Sequence, residues 1–330
     1  MQSEVEWMDW LQRKLPTHSL HFVVGLGDDA AVLRLLPGHE PVITTDLFVE
    51  GVHFLPKIHP PDVIGFKAIM RGASDLAAMA ARPLAVFLSL SLRRNTPERW
   101  LEEFLSGVRV ACRRIGLRVA GGDTSIGGHA FAADVTVVGQ VRRGQAVLRS
   151  RARAGDDIFV SGKLGRAALG LELIRRGAKP QDRRLRQDLR QHLYPEARCR
   201  LALELARLRL PSAMIDLSDG LSTDLHHLCR ASRVGALVES SELPAPKLPH
   251  ERATRHLDPI QFALHGGEDY ELLFTVPSHR RRRVPRRLAG VPLTRIGRVT
   301  RDPGIYLVQK DGRLEPLLPL GWDHFRKQKK

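Results

Sequence analysis

The twelve residues from Met214 to Leu225 place three carboxylates (Asp216, Asp219, Asp224) and three hydroxyls (Ser218, Ser222, Thr223) directly behind a short apolar run. Ala213-Met214-Ile215 reads as the end of a buried strand and Ser218 to Gly220 as a turn. Leu221 onward reads as a helix with Leu221, Leu225 and Leu228 on one face. A strand-to-helix turn of this kind aims backbone N–H groups and short side chains at one spot, which suits a ligand. Local capping by Asp and Ser accounts for one or two of the six polar residues, not for all of them.

The same signature recurs upstream. Pro41 to Asp46 is an apolar strand ending in Thr44, Thr45 and Asp46, and is expected to continue through Phe54. Val119 to Ser125 ends in Asp123 behind the pair Gly121-Gly122, which admits a close backbone approach. Gly25 to Leu33 superficially fits the dinucleotide fingerprint, but Asp28 and Asp29 fill the loop and would repel a bare pyrophosphate. They become sensible once a divalent cation stands between acid and phosphate. A helix beginning near a cap at Asp62 and running to Met79 carries Asp75 among alanines, a costly place for an acid unless it is paired or metal-bound. Other expected helices are 3–15 with a Ser3/Glu6 capping box, one opened by Thr96-Pro97-Glu98 and closed by Gly116, one following Gly165 to Gly177, and 196–209. Strands are expected over 84–92, 133–141 and 158–161. Leu264 to Val276 reads as a glycine turn feeding an alternating strand, with Glu271 a charge at the strand edge. Residues 142–155, basic and unpatterned, read as the linker.

At 330 residues two domains are expected. Hard oxygen donors without paired His or Cys favour magnesium over zinc, and the three cysteines are too far apart for a zinc site or a disulfide framework. Converging carboxylates need several cations, and magnesium is commonly completed by substrate phosphates, so a nucleoside triphosphate is implied. Neither a Walker A loop nor the protein-kinase motifs are present. The net charge of +16 admits two readings, nucleic-acid binding or arginine spread over solvated faces. The run from His279 to Arg287 and the tail Lys327 to Lys330 lack an aromatic to stack on a base, so no specific nucleic acid is expected. No apolar run reaches the length of a membrane span and no secretory leader is evident; a cytoplasmic protein with no membrane attachment is expected.

Gly27-Asp28-Asp29-Ala30-Ala31, Thr44-Thr45-Asp46 with His53, Ser74 to Met79, Gly121-Gly122-Asp123-Thr124, Ile215 to Gly220 and Gly266 to Glu271 together resemble the thiamine-monophosphate kinase family, within the aminoimidazole-ribonucleotide synthetase-like ATP-binding superfamily. Gly321-Trp322-Asp323-His324-Phe325 completes the likeness. The resemblance implies an α/β (α+β) class with two α/β domains, 1–142 and 143–330. The first would hold a mixed sheet that pairs across a homodimer, the second a sheet packed with helices, with ATP bound between them. It implies phosphorylation of thiamine monophosphate to thiamine diphosphate, with ATP as co-substrate and several Mg2+ ions. Asp29, Thr44, Thr45, Asp46, Asp75, Asp123, Asp216 and Asp219 would hold metal directly or through water, with Asp46, Asp75, Asp123 and Asp219 closest to the chemistry. Gly122, Asp123, Arg149 and Ser218 would contact ATP; His53, Glu268 and Trp322 would contact thiamine. Two departures stand out. Arg71-Gly72 replaces an apolar residue and Asn, and Arg166 replaces a small hydroxyl residue. The rival readings are another ATP-using enzyme of the superfamily and a non-catalytic polyanion-binding protein.

Overall fold

The computed structural model describes residues 4–178, 185–248, 256–323 and 325, in two units, Met1–Ala146 and Val147–Lys330. Ser3 of the expected capping box, His324 and the basic tail lie outside the described residues.

In the first unit the chain runs α1 (Glu4–Lys14), β1 (Phe22–Val24), β2 (Val32–Leu33), β3 (His39–Val49), α2 (Pro61–Ala78), β4 (Arg82–Arg93), α3 (Glu98–Ile115), β5 (Arg118–Gly128) and β6 (Ala132–Arg142). Among the described residues the order β3-β6-β4-β5 forms one sheet, antiparallel except for the β4–β5 pair. Strand pleating sends Val42 and Phe48 of β3 inward, while Ile43, Thr45 and Leu47 are exposed. Helix α2 packs on β3, β4 and β6, and on α3. The two helices cross where neither carries a side chain. A Cβ on Gly65 would lie 2.0 Å from the Phe104 carbonyl oxygen, and one on Gly107 would lie 1.9 Å from that of Asp62. Gly72 admits a similar approach to the sheet, its Cβ position being 2.9 Å from Val137 Cγ2. The expected cap at Asp62 is displaced, because Pro61 opens α2 with its φ already helical and Asp62 falls in the first turn. Strand β3 also stops short of Phe54, since His53 N–H turns back to the Val49 carbonyl at 2.9 Å.

The second unit contains β7 (Asp157–Ser161), α4 (Arg166–Arg175), α5 (Arg186–Leu193), α6 (Cys199–Arg207), β8 (Ala213–Leu217), α7 (Leu221–Ser232), β9 (Gly235–Glu239), α8 (Pro259–His265), β10 (Glu271–Val276), β11 (Arg287–Leu288), β12 (Val291–Thr300), β13 (Ile305–Val308) and β14 (Leu314–Pro316). Its sheet has the order β14-β13-β9-β12-β7-β10-β8, with β11 beside β12. Every residue of β7, β8 and β10 is buried, so residues 271–276 do not alternate as expected; both faces of the strand are covered. Glu271 is accordingly no edge charge. It is 1% exposed, between β7 and β8, and its carboxylate accepts from Arg198 and Ser161. The expected linker ends early: the 3-10 turn Arg149–Arg151 is tied to α7, Ser232 Oγ donating to the Arg149 carbonyl at 2.7 Å and accepting from Ala152 N–H at 3.1 Å. Part of the arginine run is used structurally, Arg280 and Arg283 donating to the Arg209 and Leu208 carbonyls just past α6. Cys112, Cys199 and Cys229 are buried thiols outside any disulfide, each pushed up to about 12 by burial. The architecture is the expected α/β class, built from mixed sheets and helices.

Candidate functional site

In the second unit the turn after β8 is built from backbone contacts. Gly220 has φ +108, and a Cβ there would meet the His265 carbonyl carbon at 2.8 Å. Asp224, one turn into α7, reaches back so that its Oδ2 accepts from Asp219 N–H and Gly220 N–H, both at 3.1 Å. Burial first, then the charges of Asp216 and Asp219, push the Asp224 carboxyl well above the usual carboxylate range. Two distant segments close on this turn. Glu268 N–H donates to the Ser218 carbonyl at 2.8 Å and Tyr270 N–H to that of Leu217 at 2.9 Å. From the other side Trp322 N–H donates to the Asp219 carbonyl at 2.9 Å. Glycine makes this seating possible, because a Cβ on Gly321 would lie 2.1 Å from the Asp219 carbonyl oxygen. Asp216, Ser218, Asp219, Glu268 and Trp322 are thus brought to one end of β8. Arg149 is exposed on its turn against α7.

In the first unit, Thr44 and Asp46 point to the α2 side of the sheet. Thr44 Oγ1 donates to Asp75 Oδ2 at 2.5 Å, and Arg71 Nε lies 3.4 Å from Asp46 Oδ1. Asp75 is therefore paired from within α2's own partner strand. Thr45 lies on the opposite face, donating to Asp134 Oδ1 at 2.9 Å beside Thr136. Asp46 and Asp123 sit inside β3 and β5, not at strand ends, and those strands are the two edges of the sheet. Asp123 is exposed, its Oδ1 accepting from Thr124 N–H at 2.8 Å. Gly122 is forced to be glycine, since a Cβ would meet the Leu88 carbonyl oxygen at 2.0 Å. Asp29 lies exposed in the loop between β1 and β2. His53 stacks on Phe48 with centroids 5.6 Å apart, and its Nδ1 accepts from Val49 N–H at 2.9 Å. That bond puts the proton of a neutral ring on Nε2.

The donor set suits magnesium: carboxylates and hydroxyls throughout, with mutual repulsion around Asp224 that a cation would relieve. Among the described residues no three His, Cys, Asp or Glu side chains already converge on an ion-sized point, so water and phosphate oxygens must complete any coordination. Sequence reasoning missed Asp134 and Thr136, whose polarity on an alternating strand was the available signal. It also missed the bracing role of Asp224 and the whole of α5, which has few apolar residues to mark a period.

The description AIR synthase related protein, N-terminal domain, matches residues 27–141, and its C-terminal domain counterpart matches residues 153–310. Thiamine-monophosphate kinase of Escherichia coli (strain K12) is 38% identical over 309 residues, 92% of each chain. That of Bacillus subtilis (strain 168) is 32% identical over 312 residues, 92% of this chain and 94% of its own. The chain belongs to the thiamine-monophosphate kinase family. As a member it is an enzyme, a phosphotransferase of the thiamine-phosphate kinase type. The crystal structure of thiamine-monophosphate kinase from Stenotrophomonas maltophilia K279a superposes with a TM-score of 0.81 at 35% identity, over 95% of this chain and 98% of that one. AaThiL complexed with AMPPCP and TMP gives 0.76 at 32% identity, over 98% and 97%. The hydrogenase maturation protein HypE of E. coli, at 20% identity and a TM-score of 0.74, shares the fold alone.

Proposed function

We propose that this chain transfers the γ-phosphoryl group of ATP directly to the phosphate of thiamine monophosphate, yielding thiamine diphosphate and ADP. Family membership and the relative complexed with AMPPCP and TMP support the two substrates. The observation that carries the reading is the seating of Glu268 and Trp322, by backbone bonds, on the turn that bears Ser218 and Asp219. The acceptor is a phosphate oxygen, largely ionised at neutral pH, so no general base is required. The task left to the protein is to hold two polyanions in line.

Asp29, Thr44, Thr45, Asp46, Asp75, Asp123, Asp216 and Asp219 would hold magnesium directly or through water. Magnesium, when bound, neutralises the phosphates and the charge that develops during transfer. Gly122 and Ser218 offer backbone to ATP, and Arg149 offers an exposed guanidinium that can pair with phosphate oxygens. Glu268 and Trp322, the latter 38% exposed, suit the cationic thiamine moiety, and His53 is the third residue proposed to contact it. Exposed Ile43 and Leu47 on β3 and Ile126 on β5 support pairing of this sheet with that of a second copy in a homodimer. No described helix is long and apolar enough to cross a membrane.

The test is product formation from thiamine monophosphate and ATP, with and without magnesium, beside Asp219→Asn. Magnesium-dependent thiamine diphosphate and ADP, lost in the variant, are expected. Tight binding of magnesium and ATP without thiamine diphosphate would move the substrate to another member of the superfamily.

A further inference from the structure

Glu268 and Tyr270 both adopt left-handed backbone, with φ +66 and φ +49, on either side of Asp269. Non-glycine residues are strained there, and a pair of them persists only where the surroundings over-determine the conformation. Asp269, 2% exposed, accepts through its carboxylate from Gly165 N–H and from Ala167 N–H, the latter at 3.1 Å, at the start of α4. The carbonyls of Leu217 and Ser218 take the neighbouring N–H groups.

Helix α5 adds a hydrogen bond and a close polar contact from consecutive residues. Gln191 Nε2 donates to the Asp269 carbonyl at 2.9 Å. His192, 2% exposed, sets Nδ1 3.4 Å from Glu268 Oε2, while the Glu268 side chain stays 27% exposed. The helix itself is fixed against α4: a Cβ on Gly170 would lie 2.3 Å from the Asp188 carbonyl oxygen, and Asp188 Oδ1 is 3.4 Å from Arg166 Nε. A polar ring is thus buried at the back of a half-open carboxylate, on a helix fixed against its neighbour, which is how a supporting side chain orients a group that meets substrate.

We propose that His192 is a positioning residue, which fixes the direction in which Glu268 presents its carboxylate to the cationic moiety of thiamine monophosphate. This rests on the function proposed above. His192 touches no reacting atom; it acts through Glu268, and α5 is thereby part of the substrate-selecting apparatus.

The experiment compares the full-length wild type with His192→Asn, His192→Gln and a Glu268→Gln background. Asn places its amide nitrogen near the position of Nδ1, whereas Gln reaches toward that of Nε2. Both are polar and of similar bulk, so both are expected to fold, and the thermal midpoint checks this. The expected result is a KM for thiamine monophosphate raised about ten-fold in His192→Gln and within about three-fold of wild type in His192→Asn, with kcat and the KM for ATP nearly unchanged. In the Glu268→Gln background the His192→Gln effect should largely vanish. Equal effects of Asn and Gln, or an effect that survives without the Glu268 carboxylate, overturn the positioning role. A wild type that makes no thiamine diphosphate instead overturns the parent reading, so the two failures are told apart.

Discussion

Arg71 Nε lies 3.4 Å from Asp46 Oδ1, the two side chains 21% and 22% exposed, and so a fixed cation already sits beside one of the carboxylates proposed to hold magnesium. A guanidinium there neutralises Asp46 in advance and repels an arriving ion. Replacing Arg71 with Met keeps an unbranched apolar stem, removes the guanidinium and frees the acid. The magnesium concentration for half-maximal thiamine diphosphate formation should fall several-fold, and the stabilisation of the fold by magnesium should appear at lower concentration. A half-saturation point that stays put or rises would mean that Arg71 serves the site by holding Asp46 in place.

Asp269 gives the fold a pH dependence of known sign. Burial raises its carboxyl to about 7 from 3.8, the nearby Glu271 charge adds to this, and the N–H groups of Gly165, Arg166 and Ala167 pull the other way. Between those two values the folded protein holds a proton that the unfolded chain has lost. The residue's contribution to stability is therefore largest on the acid side and declines as pH rises through that window. Asp269→Asn cannot ionise. Its deficit in thermal midpoint relative to wild type should be greater near about pH 5 than near about pH 7.5. A deficit that is constant or widens with pH would contradict the assignment.

Much of this was readable in advance because acids beside glycine and hydroxyls on apolar strands are conspicuous. Asp216 and Asp219 fall where the β8 turn was expected, and Leu221, Leu225 and Leu228 form the buried face of α7. What escaped was whatever depends on long-range pairing. Asp123 reads as a strand terminus because polarity begins there, yet β5 runs on to Gly128, since edge strands tolerate polar residues; β3, expected through Phe54, ends instead at Val49, where the chain turns back on itself. Glu271 looked like an edge charge because nothing local reveals Arg198, 73 residues away, which neutralises it. Gln191 and His192 sit on a polar helix with little periodic signal, and their meaning appears only once the strap at Glu268 is seen to rest on them.

The crossing of α2 and α3 depends on two glycines facing backbone. The Gly65 Cβ position is 2.0 Å from the Phe104 carbonyl oxygen and the Gly107 position 1.9 Å from that of Asp62, distances no real Cβ tolerates. Neither obstacle is a side chain that can swing away. Gly65→Ala or Gly107→Ala should each force the helices apart and destabilise the protein by about 1–3 kcal/mol, well beyond the slight gain that Ala brings to an isolated helix. Gly144→Ala is a useful control for crowding, because nothing lies within 4 Å of its Cβ position, although its φ of +70 carries a strain of its own. Denaturant unfolding measures all three, and a pair of stabilised helix variants would refute the packing argument.

Asp224 separates a brace from a ligand. Its Oδ2 accepts from Asp219 N–H and Gly220 N–H, and burial with two neighbouring acids disfavours its charge. A brace needs only an acceptor oxygen. Asp224→Asn retains one and removes the repulsion, so the variant should keep its thermal midpoint and most of its activity. Asp224→Ala leaves both N–H groups facing a gap, at a cost of about 1–3 kcal/mol, and releases the turn that carries Asp219. Its midpoint should drop, and its affinity for magnesium and ATP should weaken in parallel. If Asn proves as damaging to magnesium binding as Ala while the midpoint is preserved, the negative charge itself is what the site uses. Asp224 would then join Asp216 and Asp219 among the proposed metal ligands, and the raised carboxyl would mark the repulsion that the ion relieves.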